Sequence, residues 1–395
     1  MTLPNAAAYD LATKGLDAPL AIIDLPAFDA NAADLARRAN GVPIRLVSKS
    51  VRCRYLIERG LATPGFAGLM CYSLAEALWH AALGTSDDIL VAYPTVDHGA
   101  LRRLAADERA RAAITIMIDS TEHLDVVDAA AGPEHPEIRV CLELDASWRP
   151  LPMVHVGTRR SPVFTARQAA ELAGKVLRHK GFRLVGLMAY EGQIAGLPDA
   201  TGGRADRVVR WMQGRSVREL AQRRTEAVRA VREIAELEFV NGGGSGSIET
   251  TRAESVVTEV AAGSGLIGST LFDSYTRFHP RPAALFALPV VHKPTRSIAT
   301  LFAGGYIASG PAAESRLPSP HLPSGLRLLG FEGAGEVQTP VTGKAARDLR
   351  LGDRVWLRHA KAGELAERFD HYHIVVDGQL ERTVPTYRGE HQNFG

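Results

Sequence analysis

Eight short apolar runs alternate with helix-like segments along this chain, and that alternation constrains the fold more than any other feature. Short apolar strands separated by helices predict parallel βα units. Eight such units fit a closed (β/α)8 barrel. The alternative is a doubly wound open sheet, although no Gly-x-Gly-x-x-Gly follows the first run. The runs are Ile44–Val47, Phe66–Met70, Ile89–Ala92, Ile114–Ile118, Val140–Leu144, Leu184–Ala189, Glu238–Val240 and Val257–Ala261.

After Tyr275 the sequence changes, because prolines recur between short strand-like pieces and no long helical pattern remains. This pattern predicts an all-β C-terminal domain. We therefore predict an α/β protein with a TIM barrel over residues 18–277 and a β domain over residues 278–395. Residues 1–17 are expected to attach to the second domain as an N-terminal arm. A strand predicted over Ala18–Asp24 falls within the bounds of the barrel.

Composition excludes several classes of protein. A net charge of +2 favours neither nucleic acid nor a membrane surface as a partner. The three cysteines show no metal or disulfide spacing, which suggests a reducing compartment. Neither a signal peptide nor an apolar run of transmembrane length is recognisable. We expect a cytoplasmic protein that acts on a small molecule.

Lys49 ends the first apolar run and is flanked by Ser48 and Ser50. A buried strand that ends in lysine directs an amine to the mouth of a barrel. A Schiff-base lysine needs that position, with its amine partly desolvated so that it is nucleophilic. The alternative is an ordinary solvated lysine at a strand end.

A glycine-rich segment, Asn241–Ser247, directly follows the seventh run. Consecutive glycines let backbone N–H groups converge on an anion, and phosphate sites of barrels lie in the loops after strands seven and eight. A second turn of small residues follows the eighth run. Flexible turns use the same residue types, but two such turns together predict a phosphate site. The residues predicted to form it are Gly242, Gly243, Gly244, Ser245, Gly246, Ser247, Gly263 and Ser264.

Two further residues follow predicted barrel strands. Arg160 comes after the fifth run, where an arginine can donate hydrogen bonds to a phenolate or carboxylate. Tyr190 comes directly after the sixth run and can stack on a flat cofactor. The alternatives are a surface arginine and an aromatic side chain packed at the barrel rim. Glu191 is assigned no role.

His359 and Lys361 follow a strand-like piece, Arg354–Leu357, in the β domain. Side chains two residues apart on an extended segment face the same side. The pair is therefore predicted to enter one site, with two solvated polar residues on an edge strand as the alternative.

Together these motifs resemble the fold type III pyridoxal-phosphate enzymes with the alanine racemase-like barrel. Within that group the chain looks most like the D-threonine aldolase and D-serine dehydratase branch, over nearly its whole length. Thr258–Ser264 is similar to the branch's Thr-Glu-x-x-x-Gly-Ser element. Gly352–His359 is similar to its C-terminal metal-site region.

The resemblance implies a role for each candidate residue. Lys49 would bind pyridoxal 5′-phosphate as a Schiff base, and the two glycine turns would hold its phosphate. Arg160 would contact the phenolic oxygen of the cofactor, and Tyr190 stands where the racemases have a ring-stacking histidine. His359 matches the first ligand of a divalent metal. The branch has Cys or Asp as second ligand two residues later, and this chain has Lys361.

The implied activity is a pyridoxal-phosphate-dependent lyase that cleaves D-configured 3-hydroxy amino acids to glycine and an aldehyde. Lys49, His359 and Lys361 would be its catalytic residues, the last two acting at the 3-hydroxyl. The alternatives are dehydration to a 2-oxo acid and ammonia, amino-acid racemisation, and non-catalytic binding of the cofactor. The resemblance also implies a homodimer.

Overall fold

The computed structural model describes residues 6–395, and its strands and helices are numbered here in chain order. The strands are β1 (Leu20–Asp24), β2 (Ile44–Val47), β3 (Phe66–Cys71), β4 (Ile89–Val91), β5 (Ile114–Ile118), β6 (Ile138–Glu143), β7 (Trp148–Leu151), β8 (Val154–Val156), β9 (Phe182–Ala189), β10 (Phe239–Gly242), β11 (Glu259–Ala262), β12 (Ala284–Thr295), β13 (Ile298–Phe302), β14 (Ser319–Leu322), β15 (Leu326–Leu328), β16 (Gln338–Gly343), β17 (Arg354–Arg358), β18 (His371–Val376) and β19 (Gln379–Pro385).

The α-helices are α1 (Ala6–Ala12), α2 (Leu25–Ala39), α3 (Arg54–Leu61), α4 (Leu74–Leu83), α5 (His98–Ala106), α6 (Glu108–Ala113), α7 (Glu122–Ala131), α8 (Ala166–Arg178), α9 (Gly192–Ala195), α10 (Asp206–Arg232), α11 (Ile248–Thr251) and α12 (Ser264–Ile267). Short 3₁₀ turns span Ser48–Ser50, Thr270–Ser274, Glu314–Arg316, Lys344–Arg347 and Glu364–Glu367. Within residues 6–395 no helix combines the length and apolarity that crossing a membrane requires.

Eight parallel strands close into a barrel in the order β10-β11-β2-β3-β4-β5-β6-β9. Each predicted apolar run contributes one of these strands, which confirms the predicted TIM barrel. Every residue of β5 is buried, as expected for parallel strands covered on both faces. The hairpin of β7 and β8 was not predicted and follows β6.

The helices around the barrel begin and end at recognisable signals. The Thr165 hydroxyl accepts from the Gln168 N–H, and the Gln168 side chain accepts in return, so a capping box starts α8. Ala169, Leu172 and Val176 form the buried face of that helix at helical spacing.

An ion network around Arg45 fills part of the barrel interior. Arg45 Nε donates to Glu259 Oε1 at 2.7 Å, and Arg45 Nη1 donates to Asp88 Oδ1 at 2.9 Å. Asn241 Nδ2 donates to the same Glu259 oxygen at 2.8 Å. The network therefore links β2, β10 and β11 to the residue before β4. A buried guanidinium is stable only with such partners.

The second compact unit contains a nine-stranded sheet, with β15-β16-β13-β12-β1-β18-β19 in order and β17 pairing with β12 and β14. The α1 helix packs on it, because the Tyr9 ring lies 5.4 Å from the Trp356 ring and Trp356 Nε1 donates to Asp10 Oδ1 at 3.0 Å. Residues 6–17 thus contact the β unit, while residues 1–5 of the predicted arm lie outside the described residues. The predicted β-rich C-terminal region is confirmed.

The predicted domain bounds of 18–277 and 278–395 differ from the division that the structure shows. β1 pairs with β12 and β18, so it belongs to the β sheet and not to the barrel. The β unit comprises residues 6–32, Ser50–Ile57 and Ser264–Asn393, and the barrel unit comprises Ala33–Lys49, Glu58–Gly263 and Phe394–Gly395. A local apolar pattern identifies a strand but not the neighbour with which it pairs, which is why the sequence misassigned β1.

Candidate active site

Lys49 lies in the 3₁₀ turn Ser48–Ser50, at the carboxyl end of β2. The neighbouring Ser48 is buried, and its hydroxyl donates to the Met70 carbonyl of β3 at 3.0 Å. This bond fixes the turn on the barrel. The Lys49 side chain is exposed in the isolated chain, so the desolvated amine expected from the sequence is not observed.

Tyr93 follows β4 by two residues and is the nearest phenol to the lysine. Its hydroxyl lies 2.7 Å from Lys49 Nζ, and its ring centre lies 5.2 Å from the Arg160 guanidinium carbon. Burial alone would raise the pKa of Tyr93, but the charges of Lys49 and Arg160 lower that pKa below its ordinary value of 10. Sequence reasoning missed this residue, although an aromatic directly after an apolar run is the signal that identified Tyr190.

Arg160 lies against two aromatic rings. Its guanidinium carbon is 5.2 Å from the ring centre of Tyr190 as well as from that of Tyr93. Such distances are typical of cation–π contacts. Burial raises the pKa of Tyr190 above its ordinary value, and Arg160 partly opposes this effect. Tyr93 therefore links the predicted residues, because it contacts Lys49 and Arg160. Arg160 in turn contacts Tyr190.

Glu143 is the last residue of β6 and is 4% exposed. Burial raises its pKa to about 7; the Arg160 charge opposes this, and Asp119 and Asp145 add to it. The side chain consequently titrates in the neutral range. Glu143 was not predicted as a site residue, although a carboxylate inside the apolar run Val140–Leu144 could have indicated it.

The glycine-rich loop follows β10 and requires glycine at two positions. Gly243 has a φ of +86°, in the left-handed region. A Cβ on Gly244 would lie 2.9 Å from the Ala195 Cβ and 3.5 Å from the Tyr190 ring. The loop therefore packs closely beside Tyr190.

Three of the predicted phosphate donors have partners inside the protein. The Gly243 N–H donates to Glu191 Oε2 at 3.1 Å, and the Ser247 hydroxyl donates to Glu191 Oε1 at 3.1 Å. The Gly244 N–H donates in turn to the Ser247 oxygen at 3.2 Å. These groups therefore donate to Glu191 and Ser247 in this structure, and it stays a prediction that the loop holds a phosphate.

The other predicted phosphate residues occupy different places. Gly242 is the last residue of β10, and Ser245 is buried in the loop. Among residues 6–395 the Gly246 N–H has no acceptor. Gly263 follows β11, and Ser264 starts α12 in the β unit.

His359 and Lys361 lie in the β unit, in a turn that follows β17. His359 Nδ1 is 2.6 Å from the Lys361 carbonyl oxygen, and Lys361 Nζ is 3.3 Å from the Ser309 hydroxyl. The segment is thus bent and not extended, and it stays a prediction that the two side chains enter one site. Burial lowers the pKa of His359 below 6.5, so its imidazole is neutral at neutral pH.

The barrel unit thus has an amine, a guanidinium, two phenols and a titratable carboxyl near the carboxyl ends of its strands, with a glycine-rich loop beside them. These groups form a candidate site for a cofactor that attaches covalently to lysine.

Comparisons with known proteins identify the family. The family described as "Alanine racemase, N-terminal domain" matches residues 23–270, which is more than half of the chain. The D-threonine aldolase of Arthrobacter sp. is 28% identical over 305 residues, covering 73% of this chain and 72% of that protein. The 3-hydroxy-D-aspartate aldolase of Paracoccus denitrificans is 27% identical over 267 residues, covering 65% of this chain and 63% of that protein, just under two thirds of its length.

Solved structures agree in fold. D-threonine aldolase from Filomicrobium marinum has a TM-score of 0.79 at 22% identity, covering 94% of this chain and 95% of that one. D-threo-3-hydroxyaspartate dehydratase from Delftia sp. HT23 has a TM-score of 0.73 at 20% identity, covering 95% and 98%.

The chain belongs to the alanine racemase N-terminal domain family. This confirms the predicted resemblance to the fold type III pyridoxal-phosphate enzymes and the predicted cofactor.

Proposed function

We propose that this protein is a pyridoxal 5′-phosphate-dependent lyase that cleaves D-configured 3-hydroxy amino acids to glycine and an aldehyde. The observation that carries the proposal is the contact of Lys49 with Tyr93 in the barrel of this family, beside Arg160 and Tyr190. The similarity to a D-threonine aldolase and to 3-hydroxy-D-aspartate aldolases supports the substrate class.

The residues at the barrel mouth fit the cofactor. Lys49 would bind its aldehyde carbon, Arg160 its phenolic oxygen, and the Tyr190 ring its pyridine face. The Gly246 N–H, with Ser245, Gly263 and Ser264, would hold its phosphate. When bound, the cofactor supplies an electron sink for the bond that breaks at the α-carbon.

Cleavage requires a base at the 3-hydroxyl. We assign this role to His359, whose neutral imidazole accepts a proton at neutral pH. Its Nδ1 lies 2.6 Å from the Lys361 carbonyl oxygen, and a neutral imidazole carries one nitrogen lone pair that can take up a proton. As the hydroxyl proton leaves, the C3–O bond becomes a carbonyl and the bond between the α-carbon and C3 breaks. Lys49, protonated as an ammonium and held by Tyr93, gives a proton to the α-carbon so that glycine forms, and His359 releases the hydroxyl proton to solvent.

Dehydration to a 2-oxo acid and ammonia is the second candidate, because the fold also matches a 3-hydroxyaspartate dehydratase. That reaction expels hydroxide and needs an acid at the same oxygen. A histidine whose pKa is lowered by burial is rarely protonated at neutral pH and so seldom has a proton to give, which favours cleavage.

A divalent metal does not fit position 361. Lys361 offers an ammonium, which repels a dication, where the resemblance implies a Cys or Asp ligand. We therefore derive no step through a metal and assign to Lys361 a purely electrostatic role at the 3-hydroxyl oxygen.

The test is to incubate the enzyme, loaded with cofactor, with D-threonine and D-3-phenylserine, using the L-enantiomers as controls. We expect glycine and the matching aldehyde from the D-substrates. A 2-oxo acid and ammonia would instead support the dehydratase, and turnover of neither would refute both candidates.

We also propose that the enzyme is a cytoplasmic homodimer. All three cysteines are buried and free, which supports a reducing compartment. Light scattering after size exclusion tests the dimer, and a monomer mass would refute it.

A further inference from the structure

A single buried carboxylate, Glu191, holds the glycine-rich loop against the end of β9. Glu191 is 2% exposed and follows β9 by two residues. Its Oε2 accepts from the Gly243 N–H at 3.1 Å and from Arg224 Nη2 at 2.9 Å. Its Oε1 accepts from the Ser247 hydroxyl at 3.1 Å and from the Thr251 hydroxyl. Two of these donors lie in the loop and one lies on α11, so the carboxylate links the glycine-rich loop to α11.

Arg224 fixes the carboxylate from the other side. It is fully buried on α10, donates to Glu254 Oε1 at 2.6 Å, and donates to the Ala189 carbonyl at the end of β9 at 3.1 Å. Charge-assisted hydrogen bonds of this kind are shorter and stronger than neutral ones. Glu191 is therefore held in one orientation by residues that lie on the barrel scaffold.

The hydrogen bonds also reduce the repulsion that the Glu191 carboxylate would exert on a phosphate. A carboxylate free to face a phosphate would repel it, and repulsion in a buried site is strong. The two oxygens of Glu191 accept from four protein donors, so the carboxylate faces these donors and not a ligand. The Gly246 N–H, which has no acceptor among residues 6–395, remains for a ligand.

We propose that Glu191 is a positioning residue: it does not touch the cofactor, but it fixes the loop in the conformation that binds the cofactor phosphate. Ser247 acts through Glu191 and is not itself a phosphate ligand. This inference rests on the proposed function, because the phosphate in question is that of pyridoxal 5′-phosphate.

The first test uses Glu191→Gln, which keeps the shape of the side chain and removes its charge. Cofactor-free protein is titrated with pyridoxal 5′-phosphate and with pyridoxal, which lacks the phosphate, and binding is followed by absorbance. We expect the Kd for pyridoxal 5′-phosphate to rise about tenfold or more, as for loss of one charged hydrogen bond. The Kd for pyridoxal should change by less than about twofold, because the loop acts only on the phosphate.

Glu254→Gln is the matched control, since Glu254 also accepts from Arg224 and, among residues 6–395, its carboxylate accepts no hydrogen bond from the loop. Its affinity for pyridoxal 5′-phosphate should stay close to that of the wild type. Unchanged affinity in Glu191→Gln, an equal loss for both ligands, or an equal loss in Glu254→Gln would each overturn the inference.

A double-mutant cycle with Ser247→Ala tests the mechanism. If Ser247 acts through Glu191, Ser247→Ala weakens binding in the wild type but adds nothing in Glu191→Gln. Additive losses would mean that Ser247 binds the phosphate directly, against the proposal. If Glu191→Gln does not fold, Thr251→Val decides instead, because it deletes one donor to Glu191 and keeps the side-chain shape. A phosphate-specific loss in that variant supports the proposal, and unchanged affinity overturns it.

The wild-type titration separates this inference from the proposed function. Failure of the wild type to bind pyridoxal 5′-phosphate would refute the proposed function and the inference with it. Wild-type binding with an unaffected Glu191→Gln would refute the inference alone.

Discussion

Glu143 makes the stability of the cofactor-free protein depend on pH. Burial raises its pKa to about 7, against an ordinary value of 4.5. The folded state thus holds this proton more tightly than the unfolded state does. The resulting stabilisation is fully present below pH 4.5 and is lost as the pH rises through about 7.

The magnitude follows from the two pKa values, because each pKa unit corresponds to about 1.4 kcal/mol. Between pH 5 and pH 8 the wild type should lose roughly 2.5 kcal/mol relative to Glu143→Gln, which has no proton to release. The assay is urea unfolding of both cofactor-free proteins at the two pH values, with the free energy of unfolding of the variant compared with that of the wild type.

Glu171→Gln serves as the control, because Glu171 is exposed on α8 and pairs with the exposed Arg167. The difference in unfolding free energy between Glu171→Gln and the wild type should be nearly the same at both pH values. If the difference between Glu143→Gln and the wild type is also constant, Glu143 titrates normally and the reasoning from its burial is wrong.

Three other substitutions have definite expected outcomes. Lys49→Ala should abolish covalent attachment of the cofactor, and an adduct that is still trapped by borohydride and detected by mass spectrometry would exclude Lys49 as the attachment site. Tyr93→Phe removes the hydroxyl 2.7 Å from Lys49 Nζ and should lower kcat by about 10²-fold with little change in cofactor affinity; an unchanged kcat and pH profile would contradict this role. Arg45→Met should cost about 3–5 kcal/mol in urea unfolding, because Glu259 stays buried without its partner. The double variant Arg45→Met/Glu259→Leu should recover part of that loss, and failure to recover any would count against the network.

The barrel could be predicted because each of its strands is a continuous apolar run, which is what burial on both faces requires. β1 has the same pattern but joins another sheet, since its partners, β12 and β18, lie far away in the sequence. The hairpin of β7 and β8 was missed for the opposite reason: Trp148–Leu151 is mostly exposed and carries no periodic apolar signal.

The candidate site could be predicted in part. Lys49, Arg160 and Tyr190 follow strands in the sequence and meet at the barrel mouth in the structure. Tyr93 and Glu143 complete that set, but their roles depend on neighbours that no local pattern reveals. The same is true of Glu191, whose acceptor role is visible only once the loop and α10 are folded around it.

The resemblance implies that position 361 corresponds to the second metal ligand of the D-threonine aldolase and D-serine dehydratase branch, and the lysine found there leads to a prediction about chelation. Its ammonium lies 3.3 Å from the Ser309 hydroxyl, and the Ser309 N–H donates to the Glu364 carboxylate at 3.0 Å. A fixed cation stabilises charge that develops on a nearby oxygen without needing a coordination shell. We therefore expect aldol cleavage to survive prolonged treatment with EDTA.

Lys361→Ala should reduce kcat by about 10²-fold, comparable to removal of one positioned electrostatic donor. Ser309→Ala is the matched control, since it removes the contact of the ammonium but keeps the charge, and it should have a much smaller effect. Complete loss of activity in EDTA, restored by manganese or zinc, would show that a metal acts at His359 and that the ammonium does not replace it. A wild-type rate in Lys361→Ala would contradict the electrostatic role even if EDTA has no effect, because the cation would then be dispensable.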